Sequence, residues 1–310
     1  MANKTTWFNE FTLLGLTDNA KSQIILFVFF MLVYIITCLG NSLMVITITL
    51  STTLHTPMYF FLRNLSVVDI CYTTSTVPKL LSDFLMDTKQ ISFFGCVAQC
   101  YFFFLLGGIE HFLLTIMAYD RYVAICHPLR YNTIVTSKVC WGLVLGCWFG
   151  GFSSVLLPVI LISKLPFCQS HDINHFFCDV SPIIQLACSD IEQLEMFIFF
   201  TAIIVILGSF SVIVMSYLWI LVTILEIKTS TGKKKAFSTC SSHLTAIFIY
   251  FGTIIFMYIR PKSKSNLNMD KQASVFYSVV TPTLNPLIYT LRNNEFKISL
   301  KGLFRRFISS

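Results

Sequence analysis

Charged residues are scarce in this chain. Over 310 residues only 12% are Asp, Glu, Lys or Arg, against roughly 25% in a soluble domain. The deficit runs along the whole length and excludes an ordinary soluble fold. A cleavable leader is not expected either: residues 1–22 are mostly polar, and no apolar core precedes a cleavage-like site. The first long apolar run, Ile24–Leu50, is too long for a leader core and reads as a signal anchor. No cysteine follows Cys240, which excludes palmitoylation of the tail. Catalytic signatures are missing as well. Thr231-Gly232-Lys233 resembles a piece of a phosphate loop, but Ile227 stands at the earlier glycine position and Lys234 at the Ser/Thr position. There is no zinc-protease or nucleophile-elbow motif, so the chain does not read as an enzyme.

What is present is apolar. The chain is 55% hydrophobic, contains 31 Phe and has a mean hydropathy of +0.74. The apolar segments fall into seven groups, at 24–50, 58–80, 97–122, 140–162, 195–225, 237–259 and 272–291. Each is long enough to cross ~30 Å of hydrocarbon as a helix of about 20 residues. They lack the alternation of barrel strands, and backbone groups in lipid need internal partners. The expected fold is therefore an all-α membrane protein, a seven-transmembrane helix bundle. Residues 1–23 form an extracellular N-terminus, and 292–310 a cytoplasmic amphipathic helix and tail. In that tail Phe296, Leu300, Leu303, Phe304 and Phe307 recur at helical spacing beside a Lys297, Lys301, Arg305 stripe, as in a helix lying on the inner leaflet.

Orientation follows from the basic residues. With the N-terminus outside, 13 of the 22 Lys and Arg fall on the cytoplasmic side, accompanied by only Asp120, Glu226 and Glu295. The formal net charge of +7 is thus a face apposed to anionic membrane lipids, and no nucleic-acid partner is expected. Asn3-Lys4-Thr5 is an N-glycosylation sequon on the outer side. Cys96, Cys168, Cys178 and Cys188 all fall on that oxidising side. Spacing leaves their three pairings open.

Five motifs sit at membrane edges or within spans: Gly40-Asn41; Leu54-His55-Thr56-Pro57-Met58-Tyr59; the run Met117-Ala118-Tyr119-Asp120-Arg121-Tyr122-Val123-Ala124-Ile125-Cys126; Lys235-Ala236-Phe237-Ser238-Thr239-Cys240-Ser241-Ser242-His243-Leu244; and Pro282-Thr283-Leu284-Asn285-Pro286-Leu287-Ile288-Tyr289. Their chemistry can be read directly. Asp120-Arg121 at a membrane edge is an ion pair whose release gives a two-state element. Pro286 removes a backbone donor inside span seven, and Asn285 beside it can supply hydrogen bonds to freed carbonyls. Asp69 and Glu110 are mid-membrane carboxylates, which in low dielectric bind a cation or share a proton. His111 reads as a packed core histidine.

The ordered set, from Gly40 to Asn293 and with the loop run His175-Phe176-Phe177-Cys178-Asp179, resembles the olfactory receptors. These are rhodopsin-like G-protein-coupled receptors, and the Leu-His-Thr-Pro motif is similar to the tetrapod-type branch. The resemblance implies an odorant receptor of the plasma membrane, multi-pass, with its C-terminus in the cytoplasm. It implies a small-molecule odorant and a heterotrimeric G protein of the olfactory stimulatory type, raising cyclic AMP, as partners. It implies the pairs Cys96–Cys178 and Cys168–Cys188. It places a ligand, in the outer half of the bundle, against Phe103, Phe104, Gly107, Gly108, Thr201, Val205, Phe251, Ile254, Tyr258, Val275 and Ser278. On span three the spacing itself reads Phe103, Phe104, Gly107 and Gly108 as one face, the glycines leaving room and the phenylalanines forming wall. The activation switch is assigned to Asp120, Arg121, Tyr122, Tyr217, Asn285, Pro286 and Tyr289. A polar centre is assigned to Asn41, Asp69 and Glu110, taking a sodium ion or a shared proton and no other cofactor or metal. A retinal protein would need a lysine midway along span seven, whereas Lys271 stands at its edge. A transporter would show internal repeats, and none is seen.

Overall fold

The computed structural model describes residues 9–168, 170–259, 267–291 and 294–309, with side chains described except at 235, 236, 238, 239, 256–259, 267–270, 291 and 306–309. Asn3 and the Tyr258 side chain therefore lie outside the described residues. The long helices are α1 (Ala20–Leu50), α2 (Pro57–Leu85), α3 (Phe93–Cys126), α5 (Ser137–Ser163), α7 (Glu192–Glu226) and α8 (Ser230–Ile259). The last crossing is α9 (Leu267–Val275) and α10 (Thr281–Leu291), joined by a π-helical stretch, Phe276–Val280. Short helices α4 (Tyr131–Ile134) and α6 (Val180–Ile184) lie in loops, and α11 (Asn294–Ser309) follows the last crossing.

Local chemistry sets several of the helix starts. Asn19 Oδ1 accepts from the Lys21 and Ser22 amides at the head of α1, and Ser92 Oγ from Gly95 N–H at the head of α3. Pro57 opens α2, where its missing N–H costs nothing. Most helices begin several residues before their apolar run, and α8 starts at Ser230 rather than 237. Helical hydrogen bonds continue through the headgroup layer, whereas the apolar run measures only the hydrocarbon. Among the described residues α1, α3, α5 and α7 are apolar enough to cross a membrane on composition alone. The other crossings carry polar residues inward, such as Asp69 of α2 and Asn285 of α10, which lowers their mean hydropathy.

α3 is the central helix. It packs against α2, α5, α7 and α8, and Ile109, Leu113, Leu114, Met117 and Ala118 are fully buried along it. By contrast α1 and α7 turn large apolar side chains such as Ile24, Leu39, Ile204 and Leu225 outward, as helices facing lipid do.

One end of the bundle is roofed. β1 (Glu10–Leu13) lies between β2 (Gln90–Ser92), antiparallel, and β3 (Asp172–Ile173), parallel. This three-stranded sheet, absent from the sequence reading, seats Phe11 and Leu13 in a cluster with Phe167, Ile173 and Cys178. The opposite end carries Arg121 and is crossed by α11, which buries Phe296 and exposes Lys297, Lys301 and Arg305.

Candidate functional site

Cys96, at the first turn of α3, is joined to Cys178 with their Cα atoms 5.4 Å apart, and Cys168 to Cys188 at 5.9 Å. Gln99, one turn below Cys96, accepts the Cys178 amide at 2.9 Å and donates to the Ser75 carbonyl at 3.0 Å. The roof loop is thereby bound to α3 and α2. His175 in that loop meets Ser274 Oγ of α9 through Nε2 at 3.2 Å, and Tyr277 OH donates to the same Ser274 oxygen at 3.1 Å. Burial, and then the nearby Lys271 ammonium, push the His175 imidazole down to about 3, so it is neutral at physiological pH. Gly15 N–H donates to the His175 carbonyl at 3.1 Å, and Lys271 Nζ donates to the Gly15 carbonyl at 3.0 Å. Gly15 has φ +72°, the left-handed conformation that glycine adopts without strain.

Beneath the roof is an aromatic layer. Phe103 stacks on Tyr72 at 4.8 Å and touches Phe177 at 4.5 Å and Tyr277 at 5.8 Å. Gly107 leaves room for the Tyr72 ring, 3.5 Å from where a Cβ would stand, and its carbonyl accepts from Tyr250 OH of α8 at 2.8 Å. Phe251 is buried against His111 at 4.7 Å and Phe210 at 5.7 Å. Phe104, Ile254 and Val275 are partly buried against the core, and Thr201 and Val205 of α7 are half-buried. Thr201 and Ser278 each donate their hydroxyl to their own helix. Gly108 faces α5, where a Cβ would make ordinary contact with Gly151 Cα at 3.5 Å; the close approach of the two helices is at Gly151, whose Cβ would stand 2.8 Å from Ile109 Cγ1 and 3.2 Å from the Leu105 carbonyl. Residues 103/107 and 104/108 are two neighbouring faces about 100° apart, not one.

Midway along the bundle Asp69, Glu110, Asn41 and Asn285 are buried. Asn285 Nδ2 donates to Asp69 Oδ2 at 3.1 Å and to Glu110 Oε1 at 3.2 Å, bridging the two carboxylates. Glu110 Oε2 has no hydrogen-bond partner among the described residues. Asn285 does not serve the carbonyl freed by Pro286. That carbonyl is Pro282 O, four residues back, and it accepts from Asn41 Nδ2 of α1 at 3.2 Å. The swap follows from rotation on α10: Asn285 faces the carboxylates, while the proline face meets α1. There Gly40 is so close that a Cβ would stand 3.2 Å from Pro286 Cγ.

At the Arg121 end, Arg121 Nη2 donates to Asp120 Oδ2 at 2.6 Å and Nε to the same oxygen at 3.1 Å. Tyr131 of α4 donates to the other oxygen, Oδ1, at 2.7 Å. Tyr217 of α7 pairs with His243 Nδ1 of α8 at 2.8 Å. The Tyr289 hydroxyl is buried without a hydrogen-bond partner among the described residues. Tyr122 stands apart from the clasp, meeting His127 Nε2 at 3.1 Å. Tyr131, His243, Tyr72 and Tyr250 were not singled out from the sequence. His243 lay inside a quoted motif, but no spacing rule pairs a residue on one span with a residue on another.

These positions carry a family likeness over nearly the whole chain. The olfactory receptor family model matches residues 30–306. Human olfactory receptor 6J1 is 47% identical over 306 residues, covering 99% of this chain and 88% of that receptor. Mouse olfactory receptor 5G9 is 48% identical over 295 residues, covering 95% and 94%. Human olfactory receptor 5G3 is 49% identical over 303 residues, covering 97% and 95%. With seven crossings around α3, the chain belongs to the olfactory receptor family, the odorant-sensing G-protein-coupled receptors of the plasma membrane, which are not enzymes.

Proposed function

We propose that the receptor sits with its N-terminus outside and its Arg121 end in the cytoplasm. In this reading it binds one small, mostly apolar odorant beneath the disulfide roof, and it activates a heterotrimeric G protein of the olfactory stimulatory type. The observation that carries the reading is the arrangement on one buried helix. α3 holds Phe103 in the aromatic layer at one end and the Asp120–Arg121 clasp at the other, with Glu110 between them. The basic residues gathered at the Arg121 end support the orientation. So do the disulfides at the other end.

A ligand shifts such a receptor only by binding one conformation better than another. The apolar wall is assigned to Phe103, Phe104, Phe251, Ile254 and Val275, with Gly107, Thr201, Val205 and Ser278 beside it. Tyr258 is assigned on sequence alone. Gly108 acts through the α3–α5 spacing. Because Tyr250 ties α8 to the Gly107 carbonyl on α3, an odorant that alters this contact alters how α8 leans on α3. At the far end α8 holds Tyr217 through His243. Motion there frees Arg121 from Asp120, with Tyr217, Tyr289 and the Asn285–Pro286 bend as the moving parts.

Asp69 and Glu110 share one amide donor, and Glu110 keeps an unpartnered oxygen. Two buried carboxylates in this arrangement need a sodium ion or a shared proton to offset their charge. Asp69→Asn, Glu110→Gln and the double change, measured as sodium-dependent shifts in odorant potency, should be non-additive by roughly 0.5–3 kcal/mol. Strict additivity would remove the coupled site. N-glycosylation at Asn3 and seating of α11 on the inner leaflet belong to the same orientation.

The test is a surface-normalised cyclic-AMP dose–response over a chemically mixed odorant panel, in cells with and without the olfactory stimulatory α subunit. Arg121→Ala should lose every response while the protein still reaches the surface. Selective loss of some odorants would separate Arg121 from the switch. Responses independent of that α subunit would overturn the coupling. An N-terminal epitope reached only after permeabilisation would overturn the orientation.

A further inference from the structure

A cavity of about 520 Å³ opens at the Arg121 end, among the ends of α1, α2 and α5. It lies where α1 ends and where α2 and α5 begin, with α4 at its rim. Its lining is of two kinds. The apolar wall includes Phe60 and Trp141, whose rings meet edge to face at 5.0 Å. The polar lining includes Arg63, His55, Thr56 and Ser137, and no acidic side chain is among the lining residues. The Arg63 guanidinium carbon stands 5.5 Å from the centre of the Phe60 ring. Among the described residues Arg63 makes no ion pair and no hydrogen bond.

That combination is unusual in this chain. Asp120 satisfies Arg121; Arg63 is half-buried with its donors unanswered. A guanidinium removed part-way from water beside an aromatic ring, lining the cavity with no acid among its neighbours there, offers N–H donors suited to a phosphate. The Thr56 hydroxyl makes no capping bond to its own helix and faces the same cavity. Beside the cavity Leu50 and Leu145 are exposed apolar side chains, and Trp141 of its wall is exposed on its other side, as positions against hydrocarbon are. The site therefore has a cationic head and an apolar flank at the depth where α1 leaves the membrane and α2 enters it.

We propose that this cavity binds the headgroup of one anionic phospholipid from the adjacent leaflet. The phosphate sits at Arg63, with His55 and Thr56 beside it, and the acyl chains run along Trp141 and Leu145. The leaflet is the cytoplasmic one if the orientation above holds; the binding site itself does not depend on that. A consequence follows from Asn132 and Val135, which also line the cavity. Asn132 lies within α4 and Val135 caps its end, and Tyr131 of the same helix holds Asp120. An occupied cavity props α4 and favours the clasped state.

The test uses purified full-length receptor in nanodiscs of phosphatidylcholine with or without phosphatidylserine in both leaflets. Bound lipid is counted by native mass spectrometry. Wild type should retain phosphatidylserine over phosphatidylcholine by about tenfold, because both carry the phosphate but the choline ammonium cancels its charge whereas phosphatidylserine keeps a net negative charge against Arg63. Arg63→Gln should abolish the preference, and Arg63→Lys should keep part of it. Thr56→Asp, at an exposed position that leaves Arg63 in place, should abolish it too, which guards against a folding defect in Arg63→Gln. Lys297→Gln in α11 should change nothing. Retention unchanged in both Arg63→Gln and Thr56→Asp would overturn the site, as would loss in Lys297→Gln alone. Displacement of the lipid by millimolar inorganic phosphate would overturn the lipid in favour of a free phosphate. Because the nanodisc leaflets are identical, a wrong orientation would leave these results intact and appear only in the epitope assay.

Discussion

The two ends of this receptor are held by different chemistry. At the roof, two disulfides, a three-stranded sheet and the Gly15–His175–Ser274 contacts bind the N-terminal segment, the long loop, α3 and α9 into one unit. At the Arg121 end, the clasp consists of Arg121 and Tyr131 on one carboxylate and Tyr217 on His243. The first set is covalent or multiply redundant. The second can be undone one hydrogen bond at a time. On the proposed reading, a pocket beneath the roof keeps its shape while the far end changes state, because a ligand's few kcal/mol of differential binding can open only a lightly held element.

Breaking the roof should have the largest effect. Cys178→Ser removes the tie between α3 and the loop, and loss of such a disulfide costs about 2–5 kcal/mol. The expected outcome is a large drop in surface receptor and in thermal stability; a normal melting temperature would show that the sheet alone holds the roof. Breaking the clasp should act on signalling instead. Tyr131→Phe deletes a hydrogen bond to a carboxylate, about 1.5–3 kcal/mol, which corresponds to roughly tenfold or more in the balance of clasped and open states. Basal cyclic AMP should rise at unchanged surface level, and an unchanged basal signal would exclude α4 from the clasp.

Two smaller effects sharpen the contrast. Gly108→Val overpacks the α3–α5 contact against Gly151, at about 1–3 kcal/mol. It should lower thermal stability and scale every odorant response together. A reordering of odorant potencies would put Gly108 back into the pocket. Acid should act on the roof through His175. His175 is held at about 3 against its ordinary 6.5, so the folded state resists the proton that the unfolded chain accepts. Its contribution is fully present above about pH 6.5 and is lost as pH falls from there toward 3. Melting temperature in detergent should be insensitive to this group above pH 7 and decline on the acid side, and His175→Gln should flatten that decline. An equal acid loss in His175→Gln would assign the effect elsewhere.

Much of the architecture was legible because it depends on local sums. Hydropathy over about 20 residues locates a crossing wherever hydrocarbon is the solvent, and the 3.6-residue period makes the α11 stripe visible. Motif spacing placed Asp120-Arg121 and Pro286 within their helices. Other features were illegible because they are relations between helices. Asn41 rather than Asn285 answers the Pro282 carbonyl, because α10 turns its proline face toward Gly40 of α1. Gly108 faces α5, because α3 is packed on several sides and a small residue on it can face any of its neighbours.

By itself, then, the sequence determined the number of crossings, the polar groups that must be hidden within them, and the family to which the chain belongs. Those follow from solvent and from chain chemistry, which act on each segment separately. Only the tertiary structure decided which hidden groups meet. It set Tyr131 on Asp120, His243 on Tyr217 and β1 between β2 and β3, and it left Arg63 at a cavity with no acid among the described residues that line it. Each of these depends on the rotation and spacing of elements far apart in sequence. A shift of one helix by a few ångströms would change the partner without changing a single residue's preference for water or lipid.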